Sequence, residues 1–355
     1  MDTSRMIFIL AICTLMPCCM EWDYDLDTDF DTTPEPGSGL FIANEGNYQY
    51  GNASLTFYDT ETGTVENDVF IRANGQKLGD VAQSMTMHDG TLWITVNNSH
   101  VIFAVDPVTF KEKGRITGLT SPRHIYFIND EKAYVTQLWD GRIFIVNPKK
   151  YEITGYIDTG MDSGTASTEQ IIGFGDMAIV NCWSYQDKIL KINTNTDEIE
   201  DELRIGIQPA AMVADCNGRL WVLTDGGYEG NPAGHENPAL TVVNPETFEI
   251  ERKFTFYGDG RPSAIEANTA KDSIYFINGG VYRMSVNDKV LPSEAFIESR
   301  GTEYCAIGIC PFNPEIYVAD AIDWQQKGLI YRYSLSGELL DSFRAGINPS
   351  SFCWY

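Results

Sequence analysis

A short polar turn recurs along this chain, and its spacing limits the fold more than any other feature. The stretches YDTETG (58–63), VDPVTF (105–110), VNPKKY (146–151), INTNTD (192–197), VNPETF (243–248), MSVND (284–288) and YSLSG (333–337) each end an apolar run and lead into another. Their second residues, Asp59, Asp106, Asn147, Asn193, Asn244, Ser285 and Ser334, are 47, 41, 46, 51, 41 and 49 positions apart. A period of forty to fifty with several short strands per unit is the mark of propeller blades.

A second marker sits between the turns: TSPRHI (120–125), IQPAAM (207–212), GRPSAI (260–265) and INPSSF (347–352), with STEQII (167–172) and GTEYCA (301–306) in the same place without proline. Proline suits the first residue of a strand, where no ladder amide is needed. Each unit therefore reads strand A, turn, strand B, loop, strand C, polar turn, strand D. In the third unit these are HIYFI, NDEK, AYVTQ, LWDG, RIFIV, NPKKYE and ITGYI. The runs are β-branched and aromatic, and no stretch holds a helical period for long. The C-terminal INPSSFCWY is an A strand with no B strand after it, and GLFIANEG is a B strand with no A strand before it. Joined, they complete one blade and leave no free sheet edge. The expectation is an all-β, seven-bladed β-propeller over residues 40–355, closed by the C-terminal strand completing the N-terminal blade.

Chain direction then divides the connections between two rims. A-to-B and C-to-D turns share one rim and are short: HDGT (88–91), NDEK (129–132), NPKK (147–150) and CNGR (216–219). B-to-C and D-to-A connections share the other. Its B-to-C loops are long and aromatic: NEGNYQYGN (44–52), VNNSH (96–100), QLWDGR (137–142), CWSYQD (182–187), TDGGYEGNPAGHENP (224–238) and DAIDWQQKG (320–328). The sixth unit alone is trimmed to INGGVY (277–282), whose two glycines suit a primed hairpin turn. Aromatic and amide side chains on loops held by a rigid ring suit recognition. The expected ligand-binding set is Tyr48, Asn98, Trp139, Trp183, Tyr185, Tyr228 and Trp324 around the mouth. Gln83, Arg123, His124, Glu169, Gln208, Arg261, Tyr304 and Asn348 are expected on its floor.

The N-terminus carries a separate message. Met6 to Met16 is an unbroken apolar run behind Arg5, shorter than the roughly 20 residues a membrane span needs, and reads as an export signal over residues 1–18. Cys18 or Cys19 then stands where bacterial lipoproteins carry their lipid; a cleaved soluble leader is the alternative. Asp23, Asp25, Asp27, Asp29 and Asp31 alternate as in a calcium loop, but Thr28 stands where the EF-hand glycine must turn, and Glu35 falls one place late. Residues 19–39 therefore read as an acidic, solvated tether. The whole chain has 50 acids against 25 bases, and the leader holds one of each, so its loss leaves the net charge at −25. Nucleic acid and anionic lipid heads, which Lys/Arg clusters hold, are poor partners for such a surface.

Chemistry-bearing motifs are scarce. No GxSxG, HExxH, phosphate loop or zinc spacing occurs, and His88, His100, His124 and His235 are scattered. Cys182, Cys216, Cys305, Cys310 and Cys353 lack a CxxC spacing; they read as small apolar residues, with one disulfide left open. Glu169 and Glu303 fall in the same slot three blades apart. Some propeller lactonases hold calcium between carboxylates in that way, which is the enzymatic alternative to a non-catalytic, metal-free binding protein.

Taken together, the leader cysteines, the acidic tether and the VDPVTF and VNPETF turns resemble the YncE-like surface propeller lipoproteins of gut Bacteroidetes, across nearly the whole chain. Within that group the likeness is greatest to the BtuG type, which captures cobalamin and caps a TonB-dependent corrinoid transporter. The resemblance implies a lipid-anchored protein on the outer-membrane surface, with cobalamin or a related corrinoid as transported ligand and the transporter as partner. Two further readings keep the same rim: a glycan platform, and a protein-docking surface with no small ligand.

Overall fold

The computed structural model describes residues 27–258, 260–300 and 303–355. Seven antiparallel sheets stand around a central axis. In chain order blade two comprises Ala82–His88, Thr91–Val96, Val101–Val105 and Glu112–Ile116; blade three follows with Pro122–Asn129, Lys132–Gln137, Arg142–Asn147 and Glu152–Asp158. Blades four (Ile171–Arg204), five (Pro209–Thr255) and seven (Tyr304–Ile347) repeat the pattern, strand A innermost, and blade six (Ile265–Ser285) repeats its first three strands. Blade one is assembled from both ends of the chain. Its A strand is Pro349–Trp354 and its B strand Gly39–Asn44, paired Leu40 to Trp354 and Ile42 to Phe352. The ring closes as the split repeat requires.

The apolar runs are continuous because each middle strand is buried on both faces. In blade one Phe41 packs toward blade two, against Leu92 and Ile94. Leu40 and Ile42, one residue to either side, pack toward blade seven, against Tyr317 and Ala319. That period of two repeats around the wheel, giving seven clusters for seven interfaces between blades.

The recurring turn has one physical basis. Asp106 Oδ1 accepts the amides of Val108 (3.0 Å) and Thr109 (2.8 Å), while Phe110 takes φ 57° and drops its ring into the core. Asn244 accepts the amides of Glu246 and Thr247, and Phe248 repeats the φ at 56°. Only a short polar side chain can reach its own backbone two and three residues on, which is why Asp, Asn or Ser occupies that place. A second repeated device appears at the ends of B strands. Asn97 donates to Pro122 O, Gln137 Oε1 accepts the Thr120 and Ser121 amides, Asn181 donates to Pro209 O, and Asn278 accepts the Arg261 amide. These amides tie the loop rim to the entry of the inner strands.

Three details depart from expectation. Blade six has three strands; its fourth is reduced to a bridge between Val281 and Ile297, because the segment after Ser285 lacks alternation and contains Pro292. Its B-to-C connection is not a two-residue primed turn. Asn278 pairs with Gly280 around Gly279 alone (φ 77°), and Gly280 is required because a Cβ would meet Ile297 O at 2.7 Å. Between blades one and two, Val69–Asn74 forms a short helix that buries Val69 and Phe70 and ends at Gly75.

From Asp27 onward, the acidic segment read as a solvated tether lies against the propeller. Phe30 packs edge-on to Phe110 at 4.7 Å, the Arg72 guanidinium covers it at 4.4 Å, and Thr32 donates to Asp59 Oδ2. Alternating carboxylates hid that aromatic anchor. Cys18, Cys19 and the export signal lie outside the described residues. The five cysteines of the propeller are free thiols. No helix among the described residues is long and apolar enough to cross a membrane.

Candidate functional site

The antiparallel register gathers the long loops on one rim, and they brace one another there. Asn47 Nδ2 donates to Trp324 O (2.7 Å), Trp183 Nε1 to Asp225 Oδ2 (2.9 Å), and Gln186 Nε2 to Thr165 O (3.0 Å). Three aromatics of this rim, Trp139, Tyr185 and Trp324, sit in the left-handed region at φ 65°, 60° and 61°. For bulky residues this costs on the order of 1–3 kcal/mol each, and it persists only where the surroundings impose it. Trp139 is held by its amide on Ala166 O and by Gly164 on its own carbonyl. Its ring meets that of Tyr185 at 5.9 Å. Tyr48 (64 % exposed), Trp324 (45 %), Trp139, Tyr228 and the neighbouring Tyr50 all face solvent.

Below the loops runs a channel of about 470 Å³ lined by the inner strands. Gln83, His124 and Glu169 line it, as do Glu266 and Ser350. Arg123 and Glu169, both buried, form a forked ion pair across blades three and four, with Arg123 Nε 2.7 Å and a terminal nitrogen 2.6 Å from the carboxylate. His124 Nε2 lies 3.9 Å from the same carboxylate. Burial pushes its imidazole down to about 4; Glu169 opposes this and Arg123 reinforces it. Burial raises the Glu45 carboxyl, against the Arg123 charge. Across the channel, burial pushes Glu266 up to about 7, against the Ala267 amide and the Lys271 charge.

A groove of about 530 Å³ opens between blades six and seven, where the trimmed connection at Gly279 leaves the rim low. Arg261, Asn278, Glu303, Tyr304 and Trp324 line it, and it shares Ser263 and Cys305 with the channel.

The structure thus sorts the expected residues by environment. Tyr48, Trp139, Tyr228, Arg261 and Trp324 present free surface, and Gln83 and His124 face the channel. The others are engaged in the framework. Arg123 and Glu169 neutralise each other, and the Tyr304 hydroxyl is 2.8 Å from that of Tyr333. Asn348 donates to Gly46 O, Asn98 to Asp80, and Gln208 to Asp225. Trp183 is half-buried, tied to Asp225 and 5.7 Å from the Arg123 guanidinium. Sequence reasoning passed over Glu45, Asp225 and Glu266. The signal for Glu266 was a lone carboxylate inside an inner strand, SAIEAN. No group of three His, Cys, Asp or Glu among the described residues could hold a metal ion.

A seven-bladed propeller with an elaborated rim over an axial channel defines the class. The chain belongs to the family described as "Domain of unknown function (DUF5074)", which matches residues 38–346. No curated protein sequence matches it. Among solved structures it is similar to a quinonprotein alcohol dehydrogenase-like protein from Bacteroides thetaiotaomicron, with a TM-score of 0.66 at 15 % identity over 90 % of this chain and 78 % of that one. It also resembles a putative 6-phosphogluconolactonase from Bacteroides fragilis (TM-score 0.63, 12 % identity, 91 % and 99 % covered). A third likeness is to the periplasmic gluconolactonase PpgL of Pseudomonas aeruginosa (TM-score 0.62, 11 % identity, 88 % and 98 % covered). Likeness at these identities concerns the fold.

Proposed function

We propose that the protein captures a corrinoid of the cobalamin class on its loop rim, without chemistry, and passes it to a TonB-dependent transporter while anchored to the outer membrane through Cys18 or Cys19. The observation that carries this reading is the set of solvent-facing rim aromatics, two of which, Trp139 and Trp324, are held on strained, hydrogen-bonded backbone. Rigid aromatic surface of this kind binds with little ordering cost. A corrinoid is a broad disc edged with neutral amides, which calls for a wide mouth with aromatic contacts and scattered hydrogen-bonding groups. Trp139, Tyr48 and Trp324 would supply the first, Asn278 and Gln83 the second. A net charge of −25 does not oppose such a ligand. The lactonase alternative is the weaker one, because Glu169, one of its two carboxylates, is already engaged by Arg123.

Mixing the protein with cyanocobalamin and then desalting it tests the reading. Retained red absorbance at one corrinoid per chain, with a melting temperature that climbs with ligand concentration by mass action, is the expected result. A colourless protein with unchanged melting removes it.

A further inference from the structure

We infer that the groove between blades six and seven is the seat for an anionic group on an otherwise neutral ligand, with Arg261 as counter-charge and the Trp324 indole as its wall. This deepens, and rests on, the reading of the loop rim as the corrinoid-binding face. Three observations meet in this groove. It exists because blade six alone joins its B and C strands through a single residue, so no loop stands over the Asn278–Gly279 edge.

The second observation concerns charge. The chain has twice as many acids as bases, and its arginines are consumed accordingly. Arg72, Arg115, Arg123, Arg142, Arg204, Arg219 and Arg332 form ion pairs. Arg252, Arg283 and Arg344 donate to backbone carbonyls. Among the described residues, Arg261 and Arg300 are the two arginines whose guanidinium makes neither kind of contact. Of these two, Arg261 is the one that lines the groove. Glu303 shares the groove but forms no ion pair with Arg261. An exposed guanidinium left unpaired among the described residues, in a strongly acidic chain, is placed to receive an external anion, for which its forked donors are suited.

The third observation is that the backbone around the groove is fixed although these side chains are free. The Arg261 amide donates to Asn278 Oδ1 (2.8 Å), the Glu303 amide to Asp320 Oδ1 (2.9 Å), and Trp324 is gripped through its carbonyl by Asn47. The seat is therefore preformed on both walls. Its ligand chemistry is a singly charged phosphodiester or carboxylate borne by a body that packs on an indole.

Two corrinoids that differ in this respect supply the test. Cyanocobalamin carries a phosphodiester in its nucleotide loop; dicyanocobinamide lacks that loop. Calorimetric titration of both into wild type and Arg261→Gln should show about a tenfold or greater loss for cyanocobalamin and no loss for cobinamide. Raising the salt concentration should narrow the gap between wild type and variant for cyanocobalamin alone. If wild type binds both and Arg261→Gln is indifferent, or weakens both equally, the anion seat is wrong while the functional reading stands. Wild type that binds neither overturns both.

Discussion

The inner wall of the channel carries two titratable groups that the framework shifts in opposite directions, and this makes them separable. Burial holds His124 near 4 rather than its ordinary 6.5, so the unfolded chain takes up a proton first and stability is lost as pH falls from 6.5 toward 4. Glu266 is held near 7 rather than 4.5, so the unfolded chain loses its proton first and stability declines as pH climbs from 4.5 toward 7. Melting curves between pH 4 and 8 should show His124→Gln gaining on wild type toward acid and Glu266→Gln gaining toward neutral pH. Curves parallel to wild type would contradict both placements. At this scale, what the sequence revealed was local. Asp106 and Asn244 were legible as turn residues because they bond to backbone two and three positions away. The engagement of Gln208, Tyr304 and Asn348 was not, since Asn348 answers to Gly46 across 302 positions and Tyr304 to Tyr333 across 29.

Among the strands, the one that completes blade one bears the most consequence. It pairs with Gly39–Asn44, packs Trp354 edge-on to Tyr317, and receives the Gly37 amide on the carbonyl of Tyr355. Deleting residues 352–355 removes the partner of Leu40, Phe41 and Ile42 and exposes the interface of blades seven and one. A large fall in melting temperature with loss of cooperativity is expected, and unchanged melting would mean that the ring does not depend on this closure. The closure was legible because an unpaired half-repeat at each end has only one economical use. The missing fourth strand of blade six and the docking of Phe30 were not. Both turn on which neighbour a segment finds: residues 286–297 lack alternation, and in 27–32 the regular carboxylates mark solvent rather than the partner of Phe30.

For the whole molecule, the sorting of short turns to one rim and long loops to the other follows from strand direction alone, and it was legible in the sequence. The sequence could not show that the loops unite into one braced mouth, with Trp183 fastened inward to Asp225 and Trp139, Tyr48 and Trp324 left outward. Nor did it show the low edge at Gly279 that opens the groove. Amide hydrogen exchange with saturating cyanocobalamin tests the central claim most directly. The account predicts slowed exchange confined to the connections at 44–52, 137–142, 182–187, 224–238 and 320–328 and to the edge around 278–280. Protection on the short turns of the opposite rim, or no protection anywhere, would contradict it.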